Sequence, residues 1–312
     1  MKEKPTSRHS HSAHGWLAID KPSGLTSADV VARVKKSFML SRKFKVGHAG
    51  TLDPNAEGIL PIAIGDATKL ISLIQNKNKI YEFEIKWGQQ TTTDDKEGTI
   101  IEVSKKIPSP KEIRDKINEF IGDFYQKPPK VSAVKINGKR AYKRFLNNEN
   151  FETKERKVSI YKINLLNSDF NNVSKFCVEC GKGFYVRSFA RDLGLILKTR
   201  AHIVSLKRIK VGKFSTENSI LLDDLLKIRQ MASGIKGFLS SLSMLDDIPA
   251  FEIDTDEMYQ DISVGKKVSV KYFDPLIKKD NLICFAIKQK KIISFGEIKS
   301  NYFMPKKVFI RR

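Results

Sequence analysis

Lys45-Val46-Gly47-His48-Ala49-Gly50-Thr51-Leu52-Asp53-Pro54-Asn55-Ala56-Glu57-Gly58 sets three glycines around a single carboxylate fenced by a proline. Gly47 and Gly50 let the backbone take positive φ or approach another group closely, while Pro54 holds Asp53 in extended space and withdraws one amide donor. The outcome is a carboxylate presented from a stiff loop. The same residues also read as a helix start, with Asp53 as N-cap and Pro54 at the first helical position. Locally, both readings stand.

Upstream, Gly15 to Ser27 reads as an apolar strand running through Lys21-Pro22-Ser23-Gly24 into a Thr26/Ser27 helix cap. Val30, Val31 and Val34 give the following helix an apolar stripe, and a basic run follows through Lys35, Lys36, Arg42, Lys43 and Lys45. Downstream, Ile59 to Ile64 is a buried apolar run, and a helix restarts at Gly65. Tyr81 to Trp87 alternates as a strand, and Thr91 to Gly98 is a turn-rich hairpin segment. Lys111 to Ile121 reads as a helix with Ile113, Ile117, Phe120 and Ile121 on one face. Residues Gln126 to Asn150 form a basic excursion, read either as an RNA-backbone contact or as a plain surface hairpin. Strands at Val158 to Leu166 and Val173 to Cys180 lead to a helix carrying Val186, Phe189, Ala190, Leu193 and Leu197, which fixes Arg187 in its first turn. A cation there opposes the helix dipole, so an acidic partner is expected nearby.

The 312 residues are 40% hydrophobic and 29% charged, the balance of a globular protein. Fifty-seven Lys and Arg against 35 Asp and Glu give a formal charge of +22, which favours a polyanionic partner, nucleic acid first. Three cysteines leave no disulfide framework and fit a reducing compartment. Cys177 and Cys180 sit on opposite faces of a strand, so no zinc site is expected. No apolar run reaches the roughly 20 residues of a membrane span, and a cytoplasmic protein is expected. Residues 1–14 read as a polar leader, and composition shifts near Asp246 toward short basic strands with turns at Asp274-Pro275, Asp280-Asn281 and Gly296.

Familiar cofactor chemistry finds no footing: there is no P-loop, no dinucleotide fingerprint and no nucleophile elbow. A carboxylate, a fixed arginine, tyrosines and an RNA-seeking surface remain. The series Lys21-Pro22-Ser23-Gly24-Leu25-Thr26-Ser27, Gly47-His48-Ala49-Gly50-Thr51-Leu52-Asp53-Pro54, Lys79-Ile80-Tyr81 and Thr91-Thr92-Thr93-Asp94-Asp95-Lys96-Glu97-Gly98 resembles the TruB family of tRNA pseudouridine-55 synthases. Gln126-Lys127-Pro128-Pro129, Ser132-Ala133 and Gly183-Phe184-Tyr185-Val186-Arg187 continue the likeness in order, so it covers about Gly15 to Phe214.

The resemblance implies a mixed α/β (α+β) pseudouridine synthase fold over residues 15–246, with a mixed central sheet and an inserted basic thumb at about 124–152. A small β-rich domain resembling a PUA-type RNA-binding domain would occupy 247–312, with a purely structural tail as the other reading. The implied activity is cofactor-free and metal-free isomerisation of the T-loop uridine of tRNA, on a flipped-out base. Asp53 takes the place of the aspartate nucleophile, Arg187 that of the arginine that keeps it charged and oriented, and Tyr81 that of the base-stacking tyrosine. His48 matches a histidine that fills the space left by the flipped base. Asp95 and Tyr185 match pocket-lining positions, and Leu206 the pocket's apolar wall or ordinary core. Lys21 and Lys79 are structural or phosphate-facing. Phe184 departs from the family's usual threonine, and the excursion's ending Arg144-Phe145-Leu146-Asn147 departs from the usual Ala-Arg. The expected partner is the T-arm stem-loop of tRNA, bound by a monomer that needs neither protein partner nor membrane. Two rivals share the scaffold: a non-catalytic tRNA-binding or folding protein, and a synthase working inside a guide-RNA particle.

Overall fold

Gly15–Lys21 forms strand β1, with Trp16, Leu17, Ala18 and Ile19 wholly buried in a computed structural model that describes residues 14–38, 44–169, 172–227, 238–270 and 280–309. Thr26 and Asp29 build a reciprocal capping box that starts helix α1 (Ser27–Ser37), whose Val30 and Val34 face the core. Arg42, Lys43 and the leader residues 1–13 lie outside the described residues. His14, the last residue of the expected leader, is docked, its Nδ1 accepting from the Asp66 amide at 2.9 Å.

The opening stretch makes a short strand β2 (Val46–His48) and then a loop, and enters strand β3 (Glu57–Ile64). The helix-start reading of Asp53-Pro54 is overturned. The Ala56 amide closes a turn onto the Asp53 carbonyl at 3.1 Å, and the apolar Ile59–Ile64 run is committed to a central strand. Gly50 and Gly58 take positive φ, whereas Gly47 lies within β2. Gly58 is obligatory, since a Cβ there would stand 2.2 Å from the Arg208 carbonyl oxygen.

A 3₁₀ turn and helix α2 (Ile71–Gln75) precede strand β4 (Lys79–Trp87) and the hairpin β5 (Gln89–Thr91) and β6 (Ile100–Val103). Helix α3 (Pro110–Ile117) buries Ile113 and Ile117, but Ile121 is exposed because the chain has already turned into strand β7 (Gly122–Gln126). The basic excursion then leaves the sheet as a small hairpin, β8 (Lys135–Ile136) and β9 (Lys139–Arg140), followed by helix α4 (Ala141–Leu146). It returns through strands β10 (Arg156–Ser168) and β11 (Val173–Cys180), helix α5 (Val186–Ile196) and strand β12 (Ala201–Val211). Short elements follow: β13 (Phe214–Ser215), β14 (Ile220–Leu221), α6 (Leu222–Lys227), β15 (Phe238–Leu239) and α7 (Ser241–Met244).

These strands form one mixed sheet in the order β14-β1-β3-β12-β4-β11-β10-β7, with β2, β13 and β15 at its sides. The β12–β3 and β1–β14 pairs are parallel and the rest antiparallel. Helix α5 seals one face through Phe189, which meets Phe83, Phe120 and Phe176 edge-on. That packing fixes the helix whose first turn carries Arg187.

The remaining chain, β16 (Ala250–Glu252), α8 (Asp256–Ser263), β17 (Val268–Ser269), β18 (Leu282–Lys288), β19 (Lys291–Lys299) and β20 (Tyr302–Val308), builds a separate five-stranded sheet. Phe285 and Phe295 of this sheet, with Phe309 just after it, share a core with Trp16 of β1, Phe214 of β13 and Met244 of α7. Gly296 is no turn residue: it lies inside β19, where a Cβ would stand 2.3 Å from the Met304 carbonyl oxygen. Asp274-Pro275 lies outside the described residues.

Candidate active site

Asp53 stands at the floor of a cleft, with its side chain 41% exposed and Arg187 buried behind it at 5%. Arg187 Nε meets Asp53 Oδ2 at 2.9 Å and Nη2 donates to Asp53 Oδ1 at 3.2 Å, a forked pair that fixes the carboxylate plane. The rest of the guanidinium is also engaged: Nη1 donates to the Thr93 carbonyl at 3.1 Å and meets Asp95 Oδ2 at 3.5 Å, and Nη2 donates to the Val131 carbonyl at 2.9 Å. The acidic compensation expected at the start of α5 is thus two carboxylates, Asp53 and Asp95.

The loop that carries Asp53 is clamped by side chains from three elements. Ser27 Oγ accepts from the Leu52 amide at 2.8 Å and donates to its carbonyl at 3.0 Å. Lys21 Nζ donates to the carbonyls of Pro22, Leu25 and Pro54 at 2.9, 2.7 and 2.8 Å. With its three hydrogens spent on backbone and its side chain buried, Lys21 is a loop clamp; its phosphate-facing reading is overturned. Arg208, which is 1% exposed, donates through Nε to Ile59 at 2.7 Å and through Nη2 to Gly50 at 3.0 Å. Sequence reasoning passed over Arg208, although it lies two residues beyond Leu206 on β12 and so shares its face.

Asp53, Arg187 and Leu206 border both halves of the cleft. Tyr81, Tyr185, Lys79 and Ser132 line one half, and Asp95, Lys96, Val131 and Ile203 the other. Burial pushes the phenol pKa of Tyr81 up, while Arg208 beside it pulls the other way. Burial likewise raises the Tyr185 phenol. Both tyrosines therefore enter the site as neutral phenols. Asp95 is held by Thr93 Oγ1 at 2.6 Å and the Glu97 amide at 3.0 Å, both on Oδ1, leaving Oδ2 to Arg187.

His48 lines neither half. It sits on β2 with Nδ1 buried and without a hydrogen-bond partner among the described residues, and burial lowers its pKa below the ordinary value. Lys79 is buried, donates to the Gln75 carbonyl at 2.5 Å and faces the tyrosine side of the cleft. Burial lowers its pKa to about 8. Below that pH Lys79 is charged in both states and carries its full desolvation penalty. Between about 8 and 10.5 the unfolded chain holds a proton that the folded chain has shed, so the contribution of Lys79 to folding stability rises with pH across that window. Lys79→Met is accordingly expected to gain on the parent chain at pH 7 and to lose that advantage, on the order of 1–3 kcal/mol, by about pH 10.5. Urea unfolding of both chains across the pH range measures it; a pH-independent difference contradicts it. Lys21, lowered to about 8 by burial, is common to both chains and cancels.

Beside the cleft stands the excursion, rooted by Thr153 Oγ1 on the Pro128 carbonyl at 2.7 Å and by both ends of the Gln126 amide on the Tyr185 backbone. Arg140 and Arg144 serve its own carbonyls at Ala133 and Ile136, while Lys130, Lys135 and Lys143 are exposed. Among the described residues no group of three His, Cys, Asp or Glu side chains is placed to hold a metal, and no helix is long and apolar enough to cross a membrane.

Known proteins resemble this chain in sequence and in fold. The TruB family pseudouridylate synthase N-terminal domain matches residues 35–186, and the tRNA pseudouridylate synthase B C-terminal domain matches residues 187–242. A protein named tRNA pseudouridine synthase B from Ehrlichia ruminantium (strain Gardel) is 40% identical, with 95% of this chain and 99% of the relative covered. One of the same name from Rhizobium etli is 36% identical, with 98% and 99% covered. Among solved structures, a Cbf5-Nop10-Gar1 complex contains a chain of like fold, with TM-score 0.72 and 24% identity over 95% of this chain and 85% of that one. The fold recurs in an H/ACA RNP bound to a substrate RNA containing 2'-deoxyuridine, with TM-score 0.71 and 22% identity over 96% and 86%.

Proposed function

This chain belongs to the TruB family of pseudouridylate synthases, and from that premise we propose that it converts the T-loop uridine of tRNA, position 55, to pseudouridine, with Asp53 as the nucleophile. The reaction is an isomerisation. The N1–C1′ bond breaks, the uracil turns, a C5–C1′ bond forms, the C5 proton leaves and N1 gains one, so no redox partner or group donor is consumed. The observation that carries the reading is the forked Asp53–Arg187 pair at the floor of an open cleft. Arg187 holds the carboxylate aimed into the cleft, and the bound RNA supplies the exclusion of water that the open cleft lacks. A non-catalytic binder has no use for a buried arginine that forks onto a carboxylate exposed in a cleft.

Tyr81 offers its ring to the flipped uracil. Stacking worth ~1–3 kcal/mol offsets part of the few kcal/mol that unstacking costs. As a neutral phenol it takes part in C5 deprotonation only with help from the adjacent Arg208 cation. Tyr185, Asp95 and Leu206 shape the pocket, His48 supports the loop from β2, and Lys79 presents its remaining N–H groups toward the cleft. The thumb lysines and the domain at 247–312 grip the RNA backbone. The enzyme acts as a single cytoplasmic chain with no cofactor.

Tritium release from C5-labelled uridine in a T-arm hairpin, with the purified chain alone, tests the reading: release is expected, and its absence contradicts it. Because lysines and arginines displace counterions, affinity for the hairpin is expected to fall about 10²- to 10³-fold between roughly 50 and 200 mM salt. A flat response would remove the electrostatic account.

A further inference from the structure

A second arginine–aspartate pair lies behind the first and borders neither half of the cleft. Arg191 follows Arg187 by one turn of α5, and Asp94 immediately precedes Asp95, so helix and turn meet in two rungs. Arg191 Nη1 meets Asp94 Oδ2 at 3.0 Å, Nε donates to Asp192 Oδ1 at 2.9 Å, and Nη2 donates to the Lys127 carbonyl at 2.9 Å. The guanidinium is thus tied to its own helix, to the thumb root and to the turn. Asp94 is 6% exposed and takes a left-handed φ of 60°. Its amide donates to the Thr91 carbonyl at 3.3 Å, and its own carbonyl accepts from the Ile203 amide at 3.1 Å.

Apolar side chains of similar volume would hold such a turn at least as firmly as a buried ion pair. A guanidinium–carboxylate pair adds fixed geometry instead. Geometry is what Asp95 requires: its Oδ2 stands 3.5 Å from Arg187 Nη1, so a small drift of the turn separates them. We propose that Arg191 and Asp94 are positioning residues for pseudouridine formation, locking the Thr91–Glu97 turn to α5 so that Asp95 stays on Arg187 and Arg187 stays aimed at Asp53. This rests on the proposed function, and it adds a pair that acts only through other residues.

The test uses the full chain with a T-arm hairpin, measuring the single-turnover rate and the dissociation constant separately. Asp94→Asn suits it, because asparagine tolerates the left-handed conformation. Its rate is expected to fall about tenfold to a hundredfold, the scale of a small misplacement of reacting groups, with affinity unchanged. In an Asp95→Asn background the same substitution is expected to cost nothing further, an outcome that general loosening of the fold would not produce. Arg191→Lys, which keeps the charge but has a single nitrogen where Asp94, Asp192 and the Lys127 carbonyl are each met by a different nitrogen of the guanidinium, is expected to behave alike and carries the test if Asp94→Asn folds poorly. Unchanged rates, or a full additional loss in the Asp95→Asn background, would overturn the inference while leaving an active parent. A parent chain that does not modify the hairpin would overturn the proposed function instead.

Discussion

Asp53→Asn is expected to bind tRNA as the parent chain does and to form no pseudouridine, a rate loss of at least about 10⁴-fold, the scale seen when a nucleophile is removed. The separation follows from geometry. Asp53 contributes one side chain to the floor of the cleft, whereas the thumb and the basic surface proposed to grip the RNA are untouched. Its side chain is 41% exposed, so replacing it strands no buried charge beyond Arg187, which retains Asp95. Asparagine fills the same space and still offers one acceptor oxygen to the guanidinium. Single-turnover rates beside gel-shift affinities measure the difference. A variant that turns over at a substantial rate would remove Asp53 from the chemistry.

The second large effect is expected at Arg187, where two substitutions separate charge from aim. Arg187→Met removes a buried cation facing two carboxylates and leaves the Thr93 and Val131 carbonyls without their donor. Breaking a buried pair from one side costs on the order of 3–5 kcal/mol, so this chain is expected to lose both stability and activity. Arg187→Lys keeps the charge but has a single nitrogen where the site uses a planar fork. It is expected to fold with a smaller stability loss and to turn over about 10²- to 10³-fold more slowly, the range for losing one preorganised donor. Urea unfolding and single-turnover kinetics distinguish the two substitutions. A fully active lysine variant would show that charge alone suffices.

Much of this site was legible because its signals are local. The α5 stripe fixed Arg187 at a helix start where a cation is out of place, and that misfit called for an acid; two were found. The strand at Tyr81–Trp87 followed from alternation, whereas the run at Ile59–Ile64 was legible only as buried and apolar; it lies in β3. That run also explains the misreading of Asp53-Pro54. Cap chemistry at Asp-Pro is real, yet the isoleucine-rich apolar run from Ile59 claims the chain for a strand, and the turn at Asp53–Ala56 leaves no room for a helix. Gly296 misled in the same way, because a glycine required by close backbone approach inside a sheet looks like one required by a turn.

The clamps were not legible, for a different reason. Arg208 reaches Gly50 across 158 positions and Lys21 reaches Pro54 across 33, so neither contact leaves a mark in the local pattern. For Lys21 a structural and a phosphate-facing reading stood side by side in a sequence of formal charge +22, and its burial with three carbonyl partners favours the structural one. His48 was assigned the space left by the flipped base by resemblance alone, and it lies on β2, just upstream of the loop that carries Asp53.

The central claim is that this chain isomerises one uridine through Asp53. Base-resolution mapping of pseudouridine in tRNA treated with the parent chain or with Asp53→Asn tests it most directly. Conversion is expected at the T-loop uridine with the parent and at no position with the variant. Conversion by the variant, or a parent that leaves the T-loop uridine unchanged, would contradict it.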